Sequence, residues 1–397
     1  MTAIRRFERN RKLDSEKLDI FYKYLSYGGI DVGPNSFQGG YTNEDLVDMD
    51  ADQVSATLAQ TSLGSDKDNV GRDSSVWAID FAGVMAGFLS RRSPNNFAMD
   101  TREQVHLITR VLTNFLNYLL HHDVCPEYKD DILAARGLCE AAARELWLCV
   151  EAQRSLPGSF NIACSTLFGG TYRKMYDGAT SWMPEAPGVA AFVGMTEEVA
   201  HEICKFAVAA AADDVTYAEW YALAMRGELK VIDVKVAAGF EITEIDQDDT
   251  IREFYKAHTK DYTPVGKVRA KPWKNPCAPP EDLTAEEREA LSSGDAEKHE
   301  PPEMYQFFIE ESILPNLFVG MKLEATIHKL NCDVWFFDDF VAAYCSFDTY
   351  LCNEMMVGWK EPRDLDKYKA AGGGGDGQVG EEGEDQHGEG GDASRLS

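Results

Sequence analysis

Apolar residues recur at helical spacing through the first 226 positions and give way to an alternating, β-branched pattern after Gly227. Residues 13–29 (LDSEKLDIFYKYLSYGG) place Leu18, Phe21, Tyr22 and Leu25 on one helical face, with Asp14 as N-cap and Gly28-Gly29 as the stop. Residues 1–12 hold five Lys/Arg and one Glu and predict a basic arm ahead of that helix. A helix over 42–60 capped by Thr42 or Asn43, a polar loop over 61–75 and a buried helix over Val76–Leu89, softened by Gly83 and Gly87, follow. The best-defined stretch begins at the capping box Thr101-x-x-Gln104, which opens a stripe of Val105, Ile108, Leu112, Phe115 and Leu119. Beyond Pro126, Ile132, Ala135, Cys139, Ala142, Leu146 and Cys149 form a second stripe, so the two segments predict an αα-hairpin. Residues 150–170 leave it through Pro157-Gly158 and read as a core strand or turn ending at Gly169-Gly170. A Pro/Gly-rich interruption over 182–188 precedes helices over Thr196–Ala212 and Tyr217–Arg226.

After Gly227 the run ELKVIDVKVAAGFEITEID predicts a strand pair with a hairpin near Gly239, then a short helix over Asp249–Thr259. Pro264, Pro272 and Pro276 forbid helix beyond it, so Lys267, Arg269 and Lys271 alternate along a short strand or extended edge, on one face. A capping box at Thr284-x-x-Glu287 lies in a charged linker, and Met304–Trp359 is dense in aromatic and β-branched residues that predict short strands with the preceding helices on one side. The fold class expected is α+β: a helix-rich N-terminal two-thirds packed with a C-terminal mixed or antiparallel sheet. The expected organisation is a basic arm, short helix and Gly/Pro motif over 1–40, a mainly helical domain over 41–226, an α+β domain over 227–365 and a disordered Gly/acid tail over 366–397.

Composition narrows the function classes. The nine cysteines are scattered without a C-x-x-C pair, which argues for a reducing compartment and against a disulfide framework or zinc site. No run approaches the length of a membrane span, so no membrane partner is expected and the location expected is nucleus and cytoplasm. Net charge is −28, and with seven acids and one base after Ala370 the body itself remains acidic, a surface that repels free nucleic acid and complements a basic protein. Several motifs fail on inspection. Asp48, Asp50 and Asp52 lack the glycine and closing acid of an EF-hand; Gly372, Gly374 and Gly377 match G-x-G-x-x-G with no strand before or helix after; His121-His122 and His201-Glu202 lack further ligands; and Glu324 with His328 on one strand face makes only a pair. Ser159, Cys164, Ser165 and Thr166 supply nucleophile types outside any G-x-S-x-G elbow, so no catalytic residue, cofactor or metal is expected.

The exception to the acidic background is Phe254–Cys277. Lys256, Lys260, Lys267, Arg269, Lys271 and Lys274 stand there against Asp261, with Tyr255, Tyr262 and Trp273 alongside. Lys256, Lys260, Lys267, Arg269, Lys271, Trp273 and Lys274 are the expected RNA or partner contacts, although charges that protect a strand edge give the same pattern.

The strings YKYLSYGGIDVGPNSFQGG, VEAQRSLPGSFNIACSTLFGG, the basic strip itself and the aromatic block 304–362 are similar, in order, to the fungal Argonaute-binding subunit of the siRNA chaperone (ARC) complex. The resemblance implies a non-enzymatic subunit that binds Argonaute carrying duplex small RNA, restrains slicing and passenger-strand release, and supports heterochromatin silencing. It implies Argonaute and a second chaperone-complex subunit as partners, with duplex siRNA reached through Argonaute. Two alternatives stay open: a direct RNA-binding protein acting through 256–274, and a Cys/Ser-dependent hydrolase.

Overall fold

A computed structural model describes residues 2–11, 13–30, 32, 79–175, 194–277 and 303–350. The Gly/Pro motif over 33–40, the expected helix over 42–60, the loop over 61–75, the acidic triplet at 48–52, residues 76–78 of the expected Val76–Leu89 helix, the Pro/Gly interruption, the Thr284 capping box, residues 351–359 and the tail lie outside the described residues.

The N-terminal residues expected as an arm form helix α1 (Thr2–Arg11). Ile4 and Phe7 sit three apart among the arginines, enough to bury one side, and Phe7 packs at 5.2 Å from Phe21 and 5.4 Å from Phe115. Helix α2 (Ser15–Tyr27) starts where the Asp14 carboxylate accepts from the Lys17 backbone N–H and ends at Gly28. Its buried stripe is Ile20, Phe21, Tyr24 and Leu25, rotated slightly from the expected one. Helix α3 (Phe81–Gly87) begins five residues later than the apolar run suggests, at the N-cap Asp80, and passes through a π-helical turn over Phe88–Arg92 into the short α4 (Ser93–Asn96).

The αα-hairpin is present as α5 (Arg102–His121) and α6 (Lys129–Ser155), and every apolar position expected on the two stripes is buried. Small residues on α6 (Ala135, Ala142) let α5 approach with its larger Leu112 and Phe115. Residues 159–168 are helix α7 (Ser159–Phe168), not a strand or turn. Seven consecutive buried positions in it, Phe160–Thr166, erase the polar face from which a helix is recognised. Helices α8 (Glu197–Ala211) and α9 (Asp214–Arg226) follow, capped by Thr196 and Asp213.

The sheet has five antiparallel strands: β1 (Val231–Asp246), β2 (Val265–Pro272), β3 (Tyr305–Glu310), β4 (Lys322–Leu330) and β5 (Trp335–Tyr344), in the order β3-β2-β1-β4-β5. Helix α10 (Asp249–His258) joins β1 to β2. The expected hairpin at Gly239 is absent. β1 runs straight through as a 16-residue strand because β4 pairs along Val231–Glu241 and β2 along Phe240–Asp246. The glycine serves a close approach instead: a Cβ there would lie 2.3 Å from the Trp273 carbonyl oxygen. Strand β2 is internal, between β1 and β3, and so is not the edge that its charges suggested.

Helices cover both faces of the sheet rather than one. Phe240, Val268, Phe307, Leu323, Ile327 and Phe337 share a core with α1, α2, α5 and α6, with Phe240 at 4.9 Å from Phe307 and Phe307 at 5.1 Å from Phe337. On the opposite face Val265, Phe308, Leu330 and Phe336 meet Phe160 and Cys164 of α7, Cys204 and Ala207 of α8, and Ile251 and Tyr255 of α10. The two-sided burial explains why β3 (YQFFIE) reads as a nearly continuous apolar run and why the polar positions Lys322, Thr326 and His328 of the alternating β4 are buried as well.

Candidate binding surface

The basic strip divides between a helix end, a loop and a strand. Lys256 and Lys260 are exposed at and just beyond the end of α10. Lys267, Arg269 and Lys271 share one face of β2, as the alternation requires, but each lies opposite a carboxylate of β1: Lys267 opposite Asp246, Arg269 opposite Glu244 and Lys271 opposite Glu241. Arg269 reaches Glu244 at 2.7 Å and Lys271 reaches Glu241 at 3.3 Å. These are half-exposed surface pairs, each worth roughly 0–1 kcal/mol to stability. Their larger effect is on the field, because the strand becomes a mixed ladder with little net charge.

Trp273 anchors the end of the strip. Its backbone N–H donates to Gly239 O at 2.9 Å, and its half-buried ring packs on Tyr344 at 5.6 Å. Around it lies a polar network that joins four segments distant in sequence. Arg91, in the π-helical turn, forks onto both Asp348 oxygens at 2.6 Å, donates to Asn275 at 2.9 Å and stacks 3.9 Å above the Tyr344 ring. Asn275 and Tyr344 both donate to the Glu324 carboxylate, at 2.8 and 3.0 Å. The extra residue in the helical turn carries Ser90 and Arg91 to the segment after β5, where Ser90 also exchanges hydrogen bonds with Thr349.

A second network is buried between α7 and β4–β5. The Ser165 hydroxyl donates to Asp338, His328 Nε2 lies 2.7 Å from the other Asp338 oxygen, and the Thr171 backbone N–H donates to the same carboxylate at 2.8 Å. Burial works to raise the Asp338 carboxyl, and the hydrogen bonds from His328, Ser165 and Thr171 overcome it, holding the group below its ordinary range. The His328 ring stacks on Phe336 at 4.6 Å. These are the residue types of a hydrolase, but the carboxylate sits between serine and histidine. Ser165 is fully buried, donates its hydroxyl to Asp338 and accepts the Tyr172 backbone N–H, so its hydrogen-bond partners do not include the histidine. The Cys164 thiol is buried 3.5 Å from Cys204 and pushed up by that burial, the opposite of an activated nucleophile. The network ties α7 to the sheet. Asp338 carries no signal in the sequence beyond an acid inside the apolar run DVWFFDDF.

At the other end of α7, Glu310 of β3 accepts the Phe160 backbone N–H at 2.6 Å, so a carboxylate from another element caps the helix. Gly158, at φ +85°, leaves the room: a Cβ would meet Glu310 Oε2 at 2.2 Å. Burial pushes the Glu310 carboxyl up. Among the described residues no three His, Cys, Asp or Glu side chains converge as a metal site, and no helix is long and apolar enough to cross a membrane.

Asn275, Glu324, Tyr344 and Asp348 of the first network and Ser165, His328 and Asp338 of the second lie in the segments that resemble the Argonaute-binding subunit. The profile of the family described as "Argonaute siRNA chaperone (ARC) complex subunit Arb1" matches residues 1–362. The chain belongs to the Arb1 family. It is also similar to Argonaute-binding protein 1 of Schizosaccharomyces pombe, at 29% identity over 179 residues, which are 45% of this chain. That match spans under half of the relative's length, 43%. No solved structure matches the chain.

Proposed function

We propose that this Arb1-family chain is a non-enzymatic Argonaute-binding subunit of an siRNA chaperone complex. In that role it restrains slicing and passenger-strand release from duplex siRNA and supports RNA-mediated heterochromatin silencing. The observation that carries the reading is the family match over residues 1–362. The name of the fission-yeast relative points the same way. A net charge of −28 suits a basic protein partner and gives an association rate that falls with salt. The partners are Argonaute and a second chaperone-complex subunit, and the places of action are nucleus and cytoplasm.

The test is capture of the tagged full chain from its own cells, with bound proteins identified and bound RNA tested for strandedness. Argonaute with predominantly duplex small RNA is the expected result, followed by slower slicing when purified chain is added to loaded Argonaute. Capture without Argonaute, or Argonaute holding only single strands, overturns the reading.

A further inference from the structure

The structure brings the N-terminal basic residues, which the sequence leaves apart from everything else, against a second basic element. Between α1, the start of α2 and α5 lies a groove of about 320 Å³, floored by Phe7, Leu13 and Val111 and rimmed by Arg11, Lys17, Arg110 and Asn114. Lys17 is tied to Asp14, whereas no carboxylate among the described residues pairs with Arg11 or Arg110. The groove continues into the outward stripe of α5, where Arg102, His106, Arg110, Asn114, Asn117 and His121 are all exposed. Glu103 is the one carboxylate on that helix. From Arg102 to His121 the stripe runs about 28 Å.

We propose that this face binds the phosphodiester backbone of RNA, with one phosphate seated between Arg11 and Arg110 and its neighbours met along the α5 stripe. Three observations favour a phosphate backbone over an acidic protein. The stripe mixes arginine with asparagine and histidine N–H donors, the set that contacts phosphates and sugars without reading bases. It exposes no large apolar side chain, so it lacks the anchors on which protein interfaces depend. Its length suits a repeating anion rather than a single carboxylate. The acidic composition of the chain does not oppose this. Residues 42–75 and 278–302 each hold eight acids and two bases, so a large share of the negative charge is outside α1, α2 and α5 in the sequence. The choice of RNA rests on the chain acting within an siRNA complex; the charge and geometry of the face do not.

Fluorescence anisotropy of the full chain against a labelled short RNA duplex tests the proposal. At low salt the chain binds, and log K falls with log salt with a slope of about −3, as three or four phosphate contacts require. The double variant Arg11→Glu/Arg110→Glu weakens binding by about tenfold or more, while Arg269→Glu/Lys271→Glu changes it by less than about twofold. Arg102→Gln/Arg110→Gln, a milder change at exposed positions, gives a smaller loss in the same direction and guards against misfolding. Absence of RNA binding by the unaltered chain, equal loss in the β2 variant, or displacement of the RNA by poly-glutamate at matched charge overturns the proposal, the last in favour of an acidic protein. Argonaute capture by the same variants separates the two readings. RNA binding without Argonaute capture sinks the proposed function alone, and Argonaute capture without RNA binding sinks this inference alone.

Discussion

Two basic regions of this chain carry similar formal charge and stand in opposite electrostatic situations. The β2 strip is conspicuous in the sequence, yet the fold sets Glu241, Glu244 and Asp246 across from its cations. The α1–α5 face is diffuse in the sequence, yet folding gathers Arg11 and Arg110 at one groove, with no carboxylate among the described residues paired to either. A charge count along a chain records how many cations there are; the field a partner meets depends on which remain unpaired in space. If the α5 face binds RNA as proposed, the sheet side belongs to scaffold and the α5 side to recognition, and a set of variants tests that division.

The largest effect is expected inside the scaffold. Asp338→Ala removes the shared acceptor of Ser165, His328 and Thr171 in a buried site, and a loss of about 3 kcal/mol in urea unfolding is expected. A loss below about 1 kcal/mol would show the network to be dispensable and weaken the division. Gly239→Ala comes next. Its new Cβ meets the Trp273 carbonyl and must push the strip's anchor away from β1, for a cost of about 1–3 kcal/mol by the same measurement.

Glu310→Gln probes the scaffold through pH. The folded-state pKa of Glu310 is raised by burial, so the native state holds the proton more tightly than the unfolded chain does. The stability it contributes is present below the ordinary glutamate pKa and is lost as pH rises through the raised one. Glutamine keeps the acceptor for the Phe160 N–H and cannot ionise. The unaltered chain should therefore lose more stability than the variant as pH rises from below the ordinary glutamate pKa through the raised one, and parallel curves would refute the assignment.

The smallest stability effects are expected at the surface, and there the comparison sharpens. A double-mutant cycle on Arg269 and Glu244 should give a coupling of about 0.5 kcal/mol that shrinks with salt. Arg102→Gln should leave stability within about 0.5 kcal/mol and reduce the salt slope of RNA binding by about 1. If Arg102 lowered stability and left the slope unchanged, the α5 stripe would be scaffold too.

Legibility followed locality. The α5–α6 hairpin was readable to the residue because its signals, a capping box and two apolar stripes, are contained in the segments that fold. The cap at Asp14 was readable for the same reason. Helix α7 was missed because a segment buried on all sides loses its amphipathic period. Helix α1 was missed because its charge hid a two-residue apolar face that matters only once Phe21 and Phe115 are beside it. The hairpin at Gly239 was wrong because a glycine in a strand marks either a turn or a close approach, and the Trp273 carbonyl that decides between them lies 34 positions away.

By itself, then, the sequence determined an acidic α+β chain with a helical hairpin, a C-terminal block of strands and a basic strip, together with its similarity to one family. Those properties depend on composition, on short-range periodicity and on strings of residues, all of which exist before folding. Only the tertiary structure decided that helices cover both sheet faces, that the Ser165 hydroxyl donates to Asp338, that the β2 cations meet β1 carboxylates and that Arg11 and Arg110 line one groove. Each of these is a pairing between residues far apart in the chain, set by which apolar faces must be buried together and by the register of the antiparallel strands, and no local pattern encodes such a pairing.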